Sequence, residues 1–463
     1  MRQPLARELH DLIERGRDRQ LRLAVTGLSR SGKTAFLTSL VNQLRHVGLE
    51  ARLDLLPAAR QGRLLGARRV NQQDLGVPRF PYDQAMAALA ETPPRWPEPT
   101  RGISELRLVL RYRPAKRGWL GSESRQLTLD LFDYPGEWLL DLPLLAHDYP
   151  SWCRSQEALA GEQRRAHFAA WHTAVEALDP AAEADEAHLA EIAEHYAEGL
   201  RAAREAGFAD LQPGRFLLPG DLAGAPVLQF FPLPAVAEAD PGALATLPPE
   251  SNYATLARRF AYYQQHIVKP FYREHFRRFD RQIVLVDLLG ALNAGPERFQ
   301  DLSRALANLM QSFDYGKRSL LSRLFAPRID RLAIAATKAD HVTPEQHPRL
   351  VALLEALLAE PLKDLRFASV PVRALSLAAI RASEAREVEH RGQRTPALRG
   401  TGLDGEPLLL YPGEVPERLP DDAFWARQGF AYPAFRPLTL EGGALPHIRM
   451  DAALDWLIGD KLI

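Results

Sequence analysis

One eight-residue stretch limits the folds open to this chain more than any other. Gly27-Leu28-Ser29-Arg30-Ser31-Gly32-Lys33-Thr34 matches G-x-x-x-x-G-K-[ST]. It lies between an apolar run, Leu21 to Thr26, and a stretch from Lys33 to Arg45. There Phe36, Leu37, Leu40, Val41 and Leu44 keep helical spacing. A buried strand, a glycine-rich turn and a helix open an α/β domain. In such a turn the backbone N–H groups of Gly27, Ser29, Arg30, Ser31 and Gly32 curl inward toward a phosphate. The helix that follows adds its positive end. Lys33 neutralises the β- and γ-phosphates, and the Thr34 hydroxyl ligates Mg2+. Only seven of the 58 basic residues are lysine, so Lys33 is not a default choice of cation.

The remaining strand signals place this opening in a larger sheet. Glu105 to Tyr112 and Gln126 to Phe132 alternate like a hairpin, joined through Lys116 to Gly121. Gln282 to Asp287, Arg331 to Thr337 and Ser369 to Ser376 read as strands with helical stretches between them, which implies a parallel sheet. From about Leu142 to Phe279 the texture turns helical, with a loop-rich patch at 213–250. The expectation is a P-loop nucleotide-hydrolase fold in four stretches: 1–141 and 282–384 forming the α/β domain, 142–281 a mainly helical insertion, and 385–463 a loop-rich extension. That extension ends in an amphipathic helix, Met450 to Ile458. Leu5, Leu9, Leu12 and Ile13 also mark a helical face over residues 3–17.

Two further motifs follow predicted strands. Asp133-Tyr134-Pro135-Gly136-Glu137 follows the run ending at Phe132. An Asp at a strand tip can hold a Mg2+ hydration shell, and Gly136 lets its N–H approach a γ-phosphate; the plain alternative is a turn. Thr337-Lys338-Ala339-Asp340 follows the strand beginning at Arg331. Asp340 can accept from guanine N1–H and the 2-amino group, whereas adenine offers no matching donor pair and would leave the carboxylate unpaired. The Lys338 stem would pack along the base.

The order of these motifs resembles that of the translation-factor-like GTPases, and Thr100-Arg101-Gly102-Ile103-Ser104-Glu105 is similar to the switch I stretch T-x-G-I-x-E of heterotrimeric G-protein α subunits. More closely, the chain resembles the YcjX-like family of bacterial P-loop GTPases. The residues carrying that likeness are WPEPTRGISEL (Trp96–Leu106), DYPGEW (Asp133–Trp138), FDYG (Phe313–Gly316), ATKADHV (Ala336–Val342) and LIGDKL (Leu457–Leu462). The resemblance implies a cytoplasmic, stress-associated protein that binds and hydrolyses GTP and carries a helical insertion. It gives Thr100 the switch I role of completing the Mg2+ shell beside Thr34 and Asp133. It also puts Ala378 and Ala379, in the loop after the last sheet strand, near the guanine O6.

The sequence departs from those patterns twice. Three residues before Thr100 stands Pro97 where G-protein α subunits carry an arginine, so Arg95 and Arg101 are the nearest candidates for a cis finger. Glu137 stands where a glutamine usually orients the attacking water; a carboxylate can do so, or can pair with an arginine. Slow hydrolysis is the expectation. An ATPase with a fortuitous TKAD and a nucleotide-holding scaffold with negligible turnover stay open.

Other features narrow the field. Acidic and basic residues number 58 each, so no whole-protein charge draws the chain to nucleic acid or an anionic membrane. Cys153 is the single cysteine, which excludes an internal disulfide and fits a reducing cytosol. No run approaches the ~18 apolar residues of a membrane span, and Met1 to Gln20 lacks a signal-peptide core. His167, His172, His188 and His195 show no metal-ligand spacing. The Arg-rich stretch Arg60 to Arg69 reads as a solvated face or regulatory loop. The helical insertion, directly after Gly136, is the expected site for a protein effector.

Overall fold

The structure, a computed structural model, describes residues 20–463 apart from 29, 100–101, 116–123, 160, 314–328, 364–369, 391–392, 428–429, 431 and 441. Ser29, Thr100 and Arg101 lie outside the described residues, as do the helix expected over 3–17 and most of the stretch 313–316.

Ten strands are described: β1 (Gln20–Gly27), β2 (Leu64–Val70), β3 (Ser104–Tyr112), β4 (Arg125–Asp133), β5 (Arg281–Val286), β6 (Arg331–Ala336), β7 (Val372–Ser376), β8 (Ser383–His390), β9 (Gln393–Thr401) and β10 (Pro407–Leu410). The first seven form one sheet in the order β2-β3-β4-β1-β5-β6-β7. From β4 to β7 every neighbouring pair is parallel, while β2, β3 and β4 pair antiparallel at the other side. Every residue of β5 is buried, as a strand covered on both faces requires.

The helix Lys33–Arg45 buries Phe36, Leu37, Leu40, Val41 and Leu44 in the same cluster as Leu23 and Val25 of β1 and Leu285 of β5. The final helix, Met450–Ile458, adds Met450, Ala453, Leu454, Leu457 and Ile458. The end of the chain is then locked onto β5. Arg281 is 1% exposed; it donates to the Leu457 carbonyl (2.6 Å), to Asp460 (2.6 Å) and to Asp330 (2.8 Å). The Leu457–Leu462 stretch therefore holds structure through a buried, fully partnered guanidinium.

Of the two readings of Arg60 to Arg69, the structure keeps the solvated face and replaces the loop with a strand. Residues from Leu64 onward are β2, the sheet's edge strand, paired with β3 from Leu64↔Tyr112 to Val70↔Arg107. Its arginines face outward: Arg69 pairs with Asp83 at 2.8 Å and stacks over the Tyr82 ring. Charges on an edge strand discourage pairing with other chains. Strands β8, β9 and β10 form a separate antiparallel sheet in the extension.

The chain divides into two compact units. The first holds Met1–Tyr134, Phe279–Asn293 and Arg328–Ile463, and the second holds Pro135–Arg278 and Ala294–Pro327. The second is helical. Among the described residues its longest helix is Glu186–Glu205, and Trp152 stacks on Phe260 with ring centroids 5.1 Å apart at its core. A buried pair, Arg164 and Asp301 at 3.0 Å, ties Glu162–His167 to Pro296–Phe313. Among the described residues no helix is long and apolar enough to cross a membrane.

If the last helix closes the sheet's core, Leu454→Ala should cost about 2–5 kcal/mol, the cavity cost of a buried leucine. Leu403→Ala, 58% exposed, should cost almost nothing. Urea midpoints of the two variants check this; equal midpoints would show that the helix is not part of the core.

Candidate functional site

The site is built from strand ends. β1 is paired on both sides, with β4 from Gln20↔Thr128 to Val25↔Asp133 and with β5 from Leu23↔Arg281 to Gly27↔Leu285. It stops at Gly27, and the chain turns into the helix at Lys33. A Cβ on Gly27 would run into the Leu285 carbonyl and the Ser31 hydroxyl, so the close approach of loop to sheet requires glycine there. Arg30 (φ +60°) and Gly32 (φ +86°) are both left-handed, which turns successive N–H groups into one concavity. Gly32 caps the helix without a side-chain hydrogen bond, and the first turn carries no acidic residue. The helix N-terminus is thus left positive and uncapped, the condition for holding an anion.

Around this loop the side chains are preset. Lys33 Nζ donates to the Gly27 carbonyl at 2.6 Å, so the ammonium folds back across the loop it would serve. Ser31 is buried, and its hydroxyl has no hydrogen-bond partner among the described residues. Thr34 is buried one residue into the helix. Asp133 is buried at the end of β4, level with Val25 of β1 and Ser104 of β3. Asp133 and Thr34 supply a carboxylate and a hydroxyl, hard oxygen donors of the kind Mg2+ takes. Two protein oxygens, with water and phosphate completing the shell, is that ion's usual manner of binding.

Tyr134, which the sequence reading passed over, anchors the chain just after Asp133. Its ring is fully buried and stacks on Phe279 (5.6 Å, 12°), and Gln282 Nε2 donates to its hydroxyl at 2.7 Å. Burial pushes the phenol well above its ordinary range. Gly136 and Glu137 belong to the second unit, where they begin the helical turn Gly136–Ala146; Glu137 is buried there.

Arg95 is exposed and forks onto Glu91, with Nε–Oε2 at 2.5 Å and Nη2–Oε1 at 2.6 Å. Its guanidinium is engaged by a carboxylate four residues earlier in the chain. The adjacent Trp96 donates its indole N–H to the Phe435 carbonyl at 2.8 Å, fixing the approach to Thr100 against the C-terminal extension.

Thr337-Lys338-Ala339-Asp340 follows β6 directly. Thr337 donates its N–H to the Val286 carbonyl at 2.9 Å, and Lys338, left-handed at φ +59°, forms an ion pair with Asp287. Asp340 is buried with both carboxylate oxygens engaged: Oδ2 accepts from the Ala382 N–H at 2.7 Å and Oδ1 lies 3.2 Å from His341 Nδ1. Burial raises the Asp340 pKa, but His341 and the Ala382 N–H outweigh it and hold the carboxyl below its ordinary value. Ala378 exchanges backbone hydrogen bonds with Ile448 at 3.0 and 2.8 Å, so its N–H is committed. Of Ala378 and Ala379, only Ala379 keeps its N–H outside that bridge.

The structure thus brings Gly27, Leu28 and Arg30–Thr34, Asp133, Thr337–Asp340 and Ala378–Ala379 to the carboxyl ends of strands in the parallel part of one sheet, where ligands bind in open α/β folds. The residues missed by sequence reasoning are Tyr134, Gln282, Asp287, His341, Ala382, Tyr432 and Phe435. One signal was available: Gln282 is a polar residue at the head of the apolar run IVLV, in a strand whose every residue is buried. Among the described residues no group of three or more His, Cys, Asp or Glu could hold a metal alone.

A parallel α/β sheet whose first strand leads through G-x-x-x-x-G-K-[ST] into a helix has the architecture of the P-loop nucleotide-binding class. The sequence profile of the YcjX-like family, DUF463, matches residues 21–462, and the chain belongs to that family. It is 52% identical over 462 residues to the Ras-like GTPase YcjX of Escherichia coli (strain K12), covering 99% of both chains. It is 44% identical over 475 residues to the Ras-like GTPase YcjX of Shewanella oneidensis (strain MR-1), covering 99% of this chain and 98% of that one.

The two glycines of the loop should fail differently. Gly32→Ala meets nothing within 4 Å and should cost only the ~1–2 kcal/mol of a left-handed alanine. Gly27→Ala must displace β5 or Ser31 and should cost more, about 3 kcal/mol, the upper end of the usual overpacking cost. Denaturant unfolding of both variants checks the order, and a Gly27→Ala protein of parental stability would contradict the packing described.

Proposed function

We propose that this protein binds GTP with Mg2+ at the carboxyl edge of its parallel sheet, hydrolyses it slowly, and changes conformation between the triphosphate and diphosphate states. The observation that supports this reading is three chemistries along one edge: the turn from Gly27, at the end of β1, into the helix at Lys33, Asp133 at the end of β4, and Asp340 after β6. The two relatives described above are both named Ras-like GTPases, which supports the same reading.

The residues take distinct roles. The N–H groups of Gly27, Ser29, Arg30, Ser31 and Gly32 cradle the phosphates, and Lys33 leaves the Gly27 carbonyl to neutralise the β- and γ-phosphates. Thr34 and Asp133 hold Mg2+, with Thr100 joining them only in the triphosphate state. The ion supplies charge stabilisation at the phosphates. Thr337, Lys338 and Asp340 recognise guanine: Lys338 lies along the base once released from Asp287, Asp340 accepts from N1–H and the 2-amino group, and Ala379 offers its N–H to O6. Gly136 contributes its N–H on the γ-phosphate side, and Glu137, the residue after it, orients water. Arg101 and Arg95 are the cis cations nearest in sequence to Thr100. A protein effector reads the nucleotide state through the helical unit, whose chain starts at Pro135, immediately after Asp133 and Tyr134.

Turnover is slow because the positions that speed related chemistry are filled otherwise. A positioned arginine finger is worth ~10³–10⁵ in rate; here Pro97 stands three residues before Thr100 and Arg95 is held by Glu91. That same pairing favours the second reading, a scaffold that holds GTP with negligible turnover.

Single-turnover phosphate release from GTP separates these readings. The parental protein should release phosphate slowly, Lys33→Ala should release none, and Glu137→Ala should slow release further with GTP affinity nearly unchanged. Release by Lys33→Ala at the parental rate would overturn the site. No release from the parent despite GTP binding would establish the scaffold.

A further inference from the structure

The base loop is held from a part of the chain that the P-loop motifs do not include. His341 follows Asp340 directly and is itself buried. Its ring lies 4.9 Å from that of Tyr432, edge-on at 71°, and 4.9 Å from that of Phe435, tilted by 55°. Tyr432 is fixed in turn: its N–H donates to the Asn293 side chain at 3.1 Å, and Phe430 packs edge-on against it. Phe435 is buried, and its ring fills the space that a side chain on Gly400 of β9 would need. From the other side, the Ala382 N–H takes Asp340 Oδ2 at 2.7 Å, and the Ser383 hydroxyl donates to the Asp340 carbonyl.

We propose that His341 is a positioning residue for base recognition, clamped by Tyr432 and Phe435, so that the C-terminal extension sets the purine specificity of this site. The proposal rests on the reading of Asp340 as the guanine-binding carboxylate. An ionised carboxylate only accepts hydrogen bonds, so the His341 Nδ1 facing Oδ1 at 3.2 Å carries the hydrogen. With one lone pair of Oδ1 committed to His341 and one of Oδ2 to Ala382, the remaining two point in fixed directions. That arrangement selects a ligand presenting two adjacent N–H donors, which guanine has.

Removing the imidazole has two consequences. The carboxylate loses one of its two orienting bonds, and it loses the neighbour that favours its charged form in a buried place. A protonated or rotated Asp340 still fills the pocket, but it cannot accept from N1–H and the 2-amino group together. The effect therefore falls on discrimination between bases rather than on phosphate binding.

The test is equilibrium binding of GTP and ITP, which lacks the 2-amino group, to the full chain with Mg2+. The parental protein should prefer GTP by ~10-fold or more, the span of one hydrogen bond to a charged group. His341→Ala should bring that ratio to within about threefold of one, and His341→Asn, whose amide N–H can replace Nδ1–H, should restore most of it. Phe435→Leu, which leaves every hydrogen bond to Asp340 intact but loosens the ring against His341, should lower the ratio part of the way. It also serves if His341→Ala does not fold. A His341→Ala or Phe435→Leu protein that binds both nucleotides more weakly at an unchanged ratio would overturn the proposal, because it would make the cluster structural only. Asp340→Asn is the control for the underlying reading. If it abolishes the preference while His341→Ala keeps it, the guanine site stands and the role of His341 falls; if Asp340→Asn keeps it too, both fall.

Discussion

The double pairing of β1 is the constraint on which the rest depends. Hydrogen-bonded to β4 along one side and to β5 along the other up to Gly27, the strand cannot shift, and the loop leaves the sheet at a fixed point. Because Gly27 has no side chain, the loop starts in contact with Leu285 and folds its N–H groups forward. The same register brings Asp133 level with Val25, two residues before Gly27. β5 also carries Gln282, which holds Tyr134, so one strand pair aligns the phosphate loop and the start of the segment after Asp133.

The C-terminal extension is the second organising element. It donates to and accepts from the helix after the phosphate loop: Gln43 Nε2 to the Leu445 carbonyl at 2.7 Å, and the Leu445 N–H to Asn42 Oδ1 at 2.8 Å. Ile448 pairs with Ala378, Phe435 accepts from Trp96, and Asp460 holds Arg281. The helix Lys33–Arg45, the loop after β7 and the stretch at Trp96 are each tied to residues between Phe435 and Ile448. None of these residues belongs to the Gly27–Thr34 or Thr337–Asp340 motifs, yet they hold the elements that carry them.

Much of the parallel sheet was legible because its signals are local. The run before Gly27, the helical spacing of Phe36, Leu37, Leu40, Val41 and Leu44, and the last helix, Met450–Ile458, all follow from periodicity and from glycine punctuation. β2 was not legible because an edge strand can keep charge on both faces: Arg68 and Arg69, consecutive and so on opposite faces, look like solvated surface until β3 is placed beside them. The chemistry of the site divides the same way. Lys33 and Asp340 stand in contiguous motifs, whereas His341's contacts with Tyr432 and Phe435 span about 90 residues and exist only through tertiary packing. Arg95 illustrates the opposite limit, since its partner Glu91 is only four residues away and no motif assigned it.

The claim at the centre of this account is that the sheet edge holds a guanine nucleotide, with Asp340 choosing the base. Equilibrium binding of GTP and ATP to the full chain in the presence of Mg2+ tests it most directly. A buried carboxylate that must be matched by two donors should reject adenine by ~10²-fold or more, so the account predicts saturable GTP binding and ATP binding weaker by at least that factor. Equal affinities for GTP and ATP would contradict it.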